Sequence, residues 1–398
     1  MSSPEVGAGH RFALLLVTRN LPPLVGGMER LNFHVVKELA KGFRISVVGP
    51  EGCARALGVG ASVAEVPIRP LWSFLLLAMW RALTVIRRDA PNFFFSGSGL
   101  TAPITWLAAR ITRGRCVVYL HGLDMIAPSA VYRCLWLPLI RRHDLCIVNS
   151  QYSRSLALAA GLREAAIRVL NPGVDLPSSI PQLPSCMKQE WGMEDCNVLL
   201  YVGRLTPRKG LLQFIEHVLP GLIQVDPRVR LVVIGEEATD AIHIAAKGYL
   251  SQVKSAADRL AVSGEVRFVG SCSDQVLSAA YAAADALIFP VIELPGDVEG
   301  FGMVAIEAAA HGTPTVAFSV GGIPDAVRHG VSGALVNPAD YAGFAQAIHQ
   351  VTAEYREAEA RVRCRKFAEE FQWESFGMRL RRMIKELPAS SPRAMATH

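Results

Sequence analysis

The chain has 398 residues, of which 51% are hydrophobic and 19% are charged, and its formal net charge is +6. This length is sufficient for two domains of ordinary size, and the apolar content excludes an intrinsically disordered protein. The positive charge is moderate and is not concentrated in one segment. It therefore argues against a nucleic-acid partner and is compatible with an anionic ligand or a membrane surface.

The cysteines and the N-terminus indicate the compartment. None of the eight cysteines is part of a CxxC pair, several lie in apolar segments, and the first residues are polar, unlike a secretion signal. We therefore expect reduced thiols in a cytoplasmic protein. The best candidate for a membrane segment, residues 71–80, is followed at once by Arg81 and is too short to span a bilayer.

The first half of the chain has the element order of a doubly wound parallel sheet. Gly26 and Gly27 end the loop between the first predicted strand and a helix, where a backbone without side chains can approach a phosphate or a sugar. His121 directly follows another predicted strand, at the edge where ligands bind in open parallel sheets. Apolar runs predict strands at residues 12–17, 44–48, 93–95, 116–120 and 144–148.

Gly97, Gly99 and Ala102 fit the G-x-G-x-x-A fingerprint of dinucleotide-binding proteins. The fingerprint does not follow the first strand, however, and no acidic residue ends the next one. A tight loop before a helix that starts at Pro103 explains the glycines equally well. A nicotinamide-dependent oxidoreductase therefore remains only as an alternative.

Further on, Ser150 is predicted to cap a helix.

A segment rich in proline and serine, residues 176–185, predicts the domain boundary. We expect an N-terminal Rossmann-like domain at residues 1–180 and a C-terminal Rossmann-like domain at residues 187–373. The helix at about 374–387 is a candidate to pack back on the first domain, and residues 388–398 are expected to be a disordered tail. The second domain repeats the strand–loop–helix order, with predicted strands at residues 197–202, 230–234, 265–269, 286–290 and 315–318.

Two glutamates lie in the loop and helix that follow the predicted strand 286–290. Glu299 and Glu307 are separated by seven residues, and Glu307 lies in an otherwise apolar helix, where a carboxylate needs a partner. The first amides of this helix, near Gly302, Met303 and Val304, are free donors at its positive end. The stretch therefore predicts a site for a ligand with phosphates on the amides and hydroxyls on the carboxylates.

Two cations, Arg204 and Lys209, flank a strand-to-helix turn that should face the same sheet edge. Arginine binds a diphosphate through two parallel hydrogen bonds and lysine binds it as a point charge, and both stabilise the charge that grows as the diphosphate departs. A hydrolase with paired carboxylates is the alternative for the two glutamates. Nearby cations that can hold phosphates weaken this alternative.

These motifs together resemble the retaining glycosyltransferases of family 4, also described as glycosyl transferases group 1. Their GT-B fold has two Rossmann-like domains facing across a cleft. The resemblance covers residues 10–385 and rests on the glycine pair, on His121 with Gly122, on residues 171–175 and 203–210, and on the Glu299 to Glu307 motif. It implies a nucleotide-diphosphate sugar as donor, held mainly by the C-terminal domain, and an acceptor bound by the N-terminal domain. It also implies that no metal or other cofactor is required.

The resemblance also implies a role for each site residue. Arg204 and Lys209 hold the diphosphate, Glu307 the ribose, and His121 contacts the donor sugar near the reacting centre. Glu299 and the amides after it, in Phe301, Gly302, Met303 and Val304, hold the sugar and the distal phosphate. The base lies near Val269 and Gly270.

Residues 72–88 and 132–142 combine aromatic and aliphatic side chains with basic ends. They predict either interfacial helices on an anionic membrane, at its inner face, or helices that pack in the core. We expect transfer of a hexose to a saccharide or a lipid-linked acceptor in the synthesis of bacterial cell-surface polysaccharide, lipopolysaccharide or glycolipid. The alternatives are a sugar-nucleotide epimerase or hydrolase of the same fold and a non-catalytic sugar-binding module.

Overall fold

The computed structural model describes residues 12–177, 184–237 and 248–387. The chain forms two compact units: the N-terminal unit comprises Met1–Pro172 and Trp373–His398, and the C-terminal unit comprises Gly173–Gln372. The boundary therefore lies before the proline- and serine-rich segment and not at residue 180. The reason is that the Val174 amide already donates to the carbonyl of Phe371, at 2.7 Å, within the C-terminal unit. The predicted tail, residues 388–398, lies outside the described residues.

The described part of the N-terminal unit is built on a parallel sheet with helices on both faces. Its strands are β1 (Ala13–Val17), β2 (Arg44–Pro50), β3 (Ser62–Val66), β4 (Phe93–Ser96), β5 (Arg115–Leu120), β6 (Leu145–Val148) and β7 (Ile167–Val169). They lie in the order β3-β2-β1-β4-β5-β6-β7, and every neighbouring pair is parallel. The central strands are buried along their whole length, which explains why they read as continuous apolar runs.

The first seven α-helices in the described part of the chain lie in the connections between the strands of this unit. They are α1 (Gly27–Ala40), α2 (Cys53–Leu57), α3 (Leu71–Asp89), α4 (Ala102–Thr112), α5 (Leu123–Ile126), α6 (Leu137–Ile140) and α7 (Gln151–Ala159). The Ser150 hydroxyl accepts a hydrogen bond from the Ser153 amide at 3.0 Å, which confirms the predicted cap of α7.

The described part of the C-terminal unit repeats this design. Its strands are β8 (Asn197–Val202), β9 (Val229–Ile234), β10 (Val266–Gly270), β11 (Ala286–Phe289), β12 (Thr315–Phe318) and β13 (Gly333–Val336). They form a parallel sheet in the order β10-β9-β8-β11-β12-β13. Its helices are α8 (Pro184–Trp191), α9 (Leu211–His217), α10 (Leu219–Val225), α11 (Tyr249–Arg259), α12 (Asp274–Ala283), α13 (Met303–Ala310), α14 (Ile323–Ala326), α15 (Tyr341–Glu354) and α16 (Ala358–Ala368).

The last helix, α17 (Trp373–Lys385), belongs to the N-terminal unit and packs on α1. The Trp373 ring stacks on His34 at a centroid distance of 3.9 Å. The Arg381 guanidinium donates to the backbone carbonyl of Glu38 at 2.7 Å and to its carboxylate at 2.8 Å. A Cβ at Gly377 would collide with the same carboxylate, so α17 approaches α1 closely.

Arg381→Met should lower the free energy of unfolding by about 1–3 kcal/mol, because the Glu38 carboxylate, only 6% exposed, loses its buried partner. Urea unfolding followed by circular dichroism measures this change. Arg382→Met is the matched control: that side chain is 82% exposed and pairs with the exposed Glu386, so its loss should cost about 0–1 kcal/mol. Equal stability of the two variants would contradict a stabilising role for the Arg381–Glu38 contact.

Candidate active site

In the C-terminal unit, the loops after β8 and β11 meet because these strands are neighbours in the sheet. The Ile292 amide donates to the carbonyl of Arg208 at 2.9 Å, which joins the two loops directly. Gly210 has φ +71°, and a Cβ there would collide with the carbonyl oxygen of Pro290. Glycine is therefore required at this position, where a side chain would push the loops apart.

An ion cluster lies where these loops meet. The Lys209 ammonium is 2.7 Å from Glu299 Oε2, and the Arg208 guanidinium is 2.5 Å from the same oxygen. The Nε atom of Arg208 is also 2.9 Å from the Asp297 carboxylate. All four side chains are 11–17% exposed. The structure thus brings the predicted residues Lys209 and Glu299 into direct contact.

Arg204, which the sequence paired with Lys209, is exposed and does not contact Glu299. The second cation beside the carboxylate is Arg208, which the sequence analysis did not single out. The signal was present, since Arg208 directly precedes Lys209 in a turn with three cations. Arg204 still lies close enough to Lys209 to act on it electrostatically.

The charges of the cluster change the protonation equilibria of its members. Burial would raise the pKa of Glu299, but Lys209 and Arg208 lower it to about 2. Burial lowers the pKa of Lys209; Glu299 raises it, and Arg208 and Arg204 lower it further. Glu299 is therefore ionised at neutral pH and acts as an acceptor of hydrogen bonds only.

Glu307 lies in the second turn of α13, which begins directly after the Glu299 loop. Its carboxylate accepts a hydrogen bond from the Tyr281 hydroxyl of α12 at 2.9 Å. His311 stacks on the Tyr281 ring and lies 2.8 Å from the Glu307 carbonyl through Nδ1. The half-buried carboxylate is thus oriented by a tyrosine that the sequence analysis also missed.

The start of α13 is the place where the sequence predicts an anion site. Gly302 has φ +99°, and a Cβ there would lie 2.8 Å from the Phe289 ring. The amides of Met303 and Val304 belong to the first turn, where no helical acceptor precedes them. The Phe301 side chain is buried in the core and packs near Phe371, so only its backbone faces the site.

The predicted base position, Val269 and Gly270, is the end of β10 at one edge of the sheet. The Gly270 carbonyl accepts from the Gly235 amide at 2.9 Å. The Glu236 carboxylate accepts from the Ser271 hydroxyl at 2.7 Å, which fixes the loop after β10. The carboxyl end of β10 and the ion cluster lie at the same end of the sheet, because all the strands are parallel.

In the N-terminal unit, His121 follows β5, is half-buried, and has Nε2 2.8 Å from the Gly97 carbonyl oxygen. The Asp124 carboxylate accepts from the amides of His121 and Gly99, at 2.9 and 3.0 Å, and so joins the two loops. A Cβ at Gly97 or Gly99 would meet side chains of the same unit. These glycines are therefore required for packing, which supports the tight-loop interpretation over a dinucleotide fingerprint.

The glycine pair begins α1. Gly26 has φ +159°, and a Cβ there would collide with the Glu29 carboxylate, while Gly27 is the first helical residue. Glu29 also accepts from the Asn20 side chain at 2.7 Å, so it joins the loop after β1 to α1. Gly26, Gly27 and His121 thus lie at the carboxyl edge of the N-terminal sheet.

Among the described residues, no group of three or more metal-ligating side chains occurs in either unit.

The comparisons with known proteins identify the family and the fold. The profile described as Glycosyl transferases group 1 matches residues 187–371, and the one described as Glycosyltransferase Family 4 matches residues 25–177. HepE of Anabaena, solved in complex with UDP, superposes with a TM-score of 0.78 at 21% identity, covering 94% of this chain and 100% of HepE. At this identity the likeness shows the fold, and it confirms the predicted GT-B class.

Two curated relatives cover the sequence to different extents. A GDP-mannose-dependent alpha-(1-6)-phosphatidylinositol monomannoside mannosyltransferase of Mycolicibacterium smegmatis is 28% identical and covers 93% of this chain and 98% of its own length. A D-inositol 3-phosphate glycosyltransferase of Geodermatophilus obscurus is 34% identical over 57% of this chain and 50% of that relative. The chain is therefore a glycosyltransferase of the GT-B fold and belongs to the family 4, or group 1, glycosyltransferases.

Proposed function

We propose that this enzyme transfers a hexose, with retention of anomeric configuration, from a nucleotide-diphosphate sugar to a hydroxyl acceptor. The observation that carries the proposal is the buried contact of Lys209 with Glu299, 2.7 Å apart, at the carboxyl edge of the C-terminal sheet. A lysine can bind a diphosphate and a carboxylate can bind sugar hydroxyls, which supports a donor site at this edge. The α13 amides next to them add donors for the distal phosphate.

We assign the remaining contacts with the donor to the same carboxyl edge of the C-terminal sheet. Arg204 is exposed on the turn that carries Lys209 and reaches the diphosphate from solvent. Glu307, oriented by the Tyr281 hydroxyl, binds the ribose hydroxyls. The base lies against the end of β10 at Val269 and Gly270.

In the N-terminal unit, His121 contacts the donor sugar near the reacting carbon, and Gly26 and Gly27 allow close approach of the backbone to the ligand. The hydrogen bonds of Asp124 hold the His121 loop in place for this contact. Saccharide and lipid-linked hydroxyls are the proposed acceptors, bound by this unit.

The proposed reaction breaks the bond between the anomeric carbon and the phosphate oxygen and forms a bond from that carbon to the acceptor oxygen on the same face. The departing phosphate oxygen takes the acceptor proton. Lys209 and Arg204 stabilise the charge that grows on the diphosphate, so we propose that no metal is required.

The names of the relatives support a choice of substrates. One relative is named as GDP-mannose-dependent and as acting on a phosphatidylinositol mannoside, and another as an inositol 3-phosphate glycosyltransferase. HepE was solved with UDP and with UDP-glucose. We therefore propose a GDP- or UDP-sugar as donor and an acceptor of bacterial cell-surface glycolipid or polysaccharide synthesis.

A thermal-shift screen of GDP-, UDP- and dTDP-sugars identifies the donor, because a ligand that binds only the folded chain raises its melting temperature. Transfer of the stabilising donor's sugar to phosphatidylinositol mannosides and inositol phosphates is then followed by NMR of the product's anomeric proton, with EDTA present. We expect a retained anomer and full activity in EDTA. Turnover of the donor without any acceptor would instead indicate an epimerase or a hydrolase, and an inverted product would contradict retention.

We also propose that the enzyme contacts the inner face of the membrane through α3. This helix packs Phe74, Ala78, Ala82 and Val85 in the core, yet its other side is apolar and exposed. We call that side the α3 face: Leu71, Trp72, Leu76, Leu77 and Trp80, which are 38–66% exposed. The two interpretations of residues 72–88 are therefore combined in one helix.

Basic and apolar groups next to the α3 face match an anionic bilayer. Arg81 lies over the Trp80 ring at 4.8 Å, and the neighbouring α4 exposes Leu107 and Ile111. An exposed apolar helix face with arginines at its border is typical of interfacial helices. None of the helices in the described residues is long and apolar enough to span a bilayer.

Replacing Trp72 and Trp80 together by serine should weaken binding to vesicles that contain anionic lipid by about tenfold or more, because two large apolar groups no longer enter the interface. Co-sedimentation with phosphatidylcholine vesicles, with and without phosphatidylglycerol, measures this. Val225→Ser with Val362→Ser removes two exposed apolar side chains elsewhere, 72% and 57% exposed, and should leave binding unchanged. Equal binding by both double variants would contradict the proposed surface.

A further inference from the structure

Glu299 makes both of its cation contacts through one oxygen. Lys209 and Arg208 both contact Oε2, and in the described part of the chain Oε1 accepts no hydrogen bond. The carboxylate is only 13% exposed, so it depends on cations to remain charged. A ligand hydroxyl can therefore bind Oε1 without displacing either cation.

The two cations differ in how firmly they are held. Arg208 lies between two carboxylates, Glu299 and Asp297, and its carbonyl is hydrogen-bonded to the Ile292 amide at 2.9 Å. Among the described residues, Glu299 is the one carboxylate that contacts Lys209, whose ammonium also lies over the Phe289 ring, at 4.9 Å. Arg208 is thus fixed in place, whereas Lys209 has one charged partner in the described part of the chain to exchange.

We propose that Arg208 is a positioning residue: it is the permanent counter-ion of Glu299, and it allows Lys209 to exchange Glu299 for the diphosphate of the donor. This inference rests on the proposed function, because it assigns the diphosphate to Lys209. If Lys209 were the only cation on Glu299, its release would leave a buried carboxylate without compensation, which is strongly unfavourable. With Arg208 present, the carboxylate keeps one cation while the ammonium moves to phosphate.

The inference predicts a selective effect on diphosphate binding. In Arg208→Gln, Lys209 becomes the only counter-ion of Glu299 and is less available to phosphate. The affinity for GDP or UDP, whichever the wild-type chain binds, should fall about tenfold or more. The affinity for the matching monophosphate, GMP or UMP, should stay within about twofold, because it lacks the distal phosphate. Isothermal titration calorimetry on the full chain measures the affinities of the wild type and of Arg208→Gln for the diphosphate and for the monophosphate.

Two further variants separate positioning from a purely structural role. Adding Glu299→Gln to Arg208→Gln removes the carboxylate that holds Lys209, so diphosphate affinity should return to near the wild-type value. Arg208→Lys keeps one positive charge beside Glu299 and should retain more diphosphate affinity than Arg208→Gln. Arg259→Gln, in an exposed pair with Glu216, is the control and should change nothing.

Each outcome decides the question. Unchanged diphosphate affinity in Arg208→Gln would overturn the inference, as would an equal loss of diphosphate and monophosphate with no recovery in the double variant. Failure of the wild-type chain to bind either GDP or UDP would contradict the proposed function and the inference with it. Wild-type binding without the Arg208 effect would overturn the inference alone.

Discussion

Lys209→Met should transfer sugar at least about 100-fold more slowly than the wild-type chain. Removing one preorganised donor that stabilises developing charge costs about 100- to 1,000-fold in rate. The methionine keeps an apolar stem against Phe289, where the ammonium lies 4.9 Å from the ring centre, so the fold should persist. Steady-state kinetics with the identified donor, together with a melting curve, measure the two effects separately.

Lys254→Met is the matched control for this variant. Lys254 also lies over an aromatic ring of the C-terminal unit, that of Phe268 at 5.3 Å, but it is exposed and contacts no carboxylate in the described structure. Its loss should leave the rate within about twofold of the wild type. Similar rates in the two variants would contradict the role of Lys209 in stabilising the leaving diphosphate.

Glu299→Gln should abolish most transfer but should not weaken diphosphate binding. The amide removes the negative charge that competes for Lys209, so GDP or UDP should bind at least as tightly as before. The sugar loses its charged acceptor of hydrogen bonds, so the rate should fall by about 100-fold or more. Diphosphate affinity that is unchanged or higher, together with a lower transfer rate, distinguishes a loss of sugar positioning from a general loss of the site.

Glu293→Gln tests whether any change in this loop has the same effect. Glu293 lies in the same segment after β11, but it is exposed and outside the ion cluster. It should retain wild-type rate and binding. A wild-type rate in Glu299→Gln would count decisively against the assignment of this carboxylate.

The central strands were predictable from the sequence because both of their faces are buried, which produces uninterrupted apolar runs. Three strands were missed, and all three lie at edges of their sheets: β3, β7 and β13. Edge strands are short and partly exposed, as the mixed burial of β3 shows, so their sequences lack such runs. The domain boundary was placed too late because a proline-rich composition does not reveal the hydrogen bond of Val174 to Phe371.

The pairing of Lys209 with Glu299 was predictable because both follow strands that should carry ligand-binding loops. The presence of Arg208 beside Glu299 was not predictable, since it depends on the direction of its side chain in the turn Pro207–Lys209. The hydrogen-bond partner of Glu307 was not predictable from the sequence either. Tyr281 lies on a different helix, 26 residues earlier, and the packing of α12 on α13 brings the two side chains together.

The most direct test of the account is a crystal structure of the full chain with GDP or UDP, whichever it binds. The account predicts a distal phosphate oxygen within about 3 Å of the Lys209 ammonium, while Arg208 still contacts Glu299. A nucleotide whose phosphates lie away from Lys209 and from the start of α13 would contradict it.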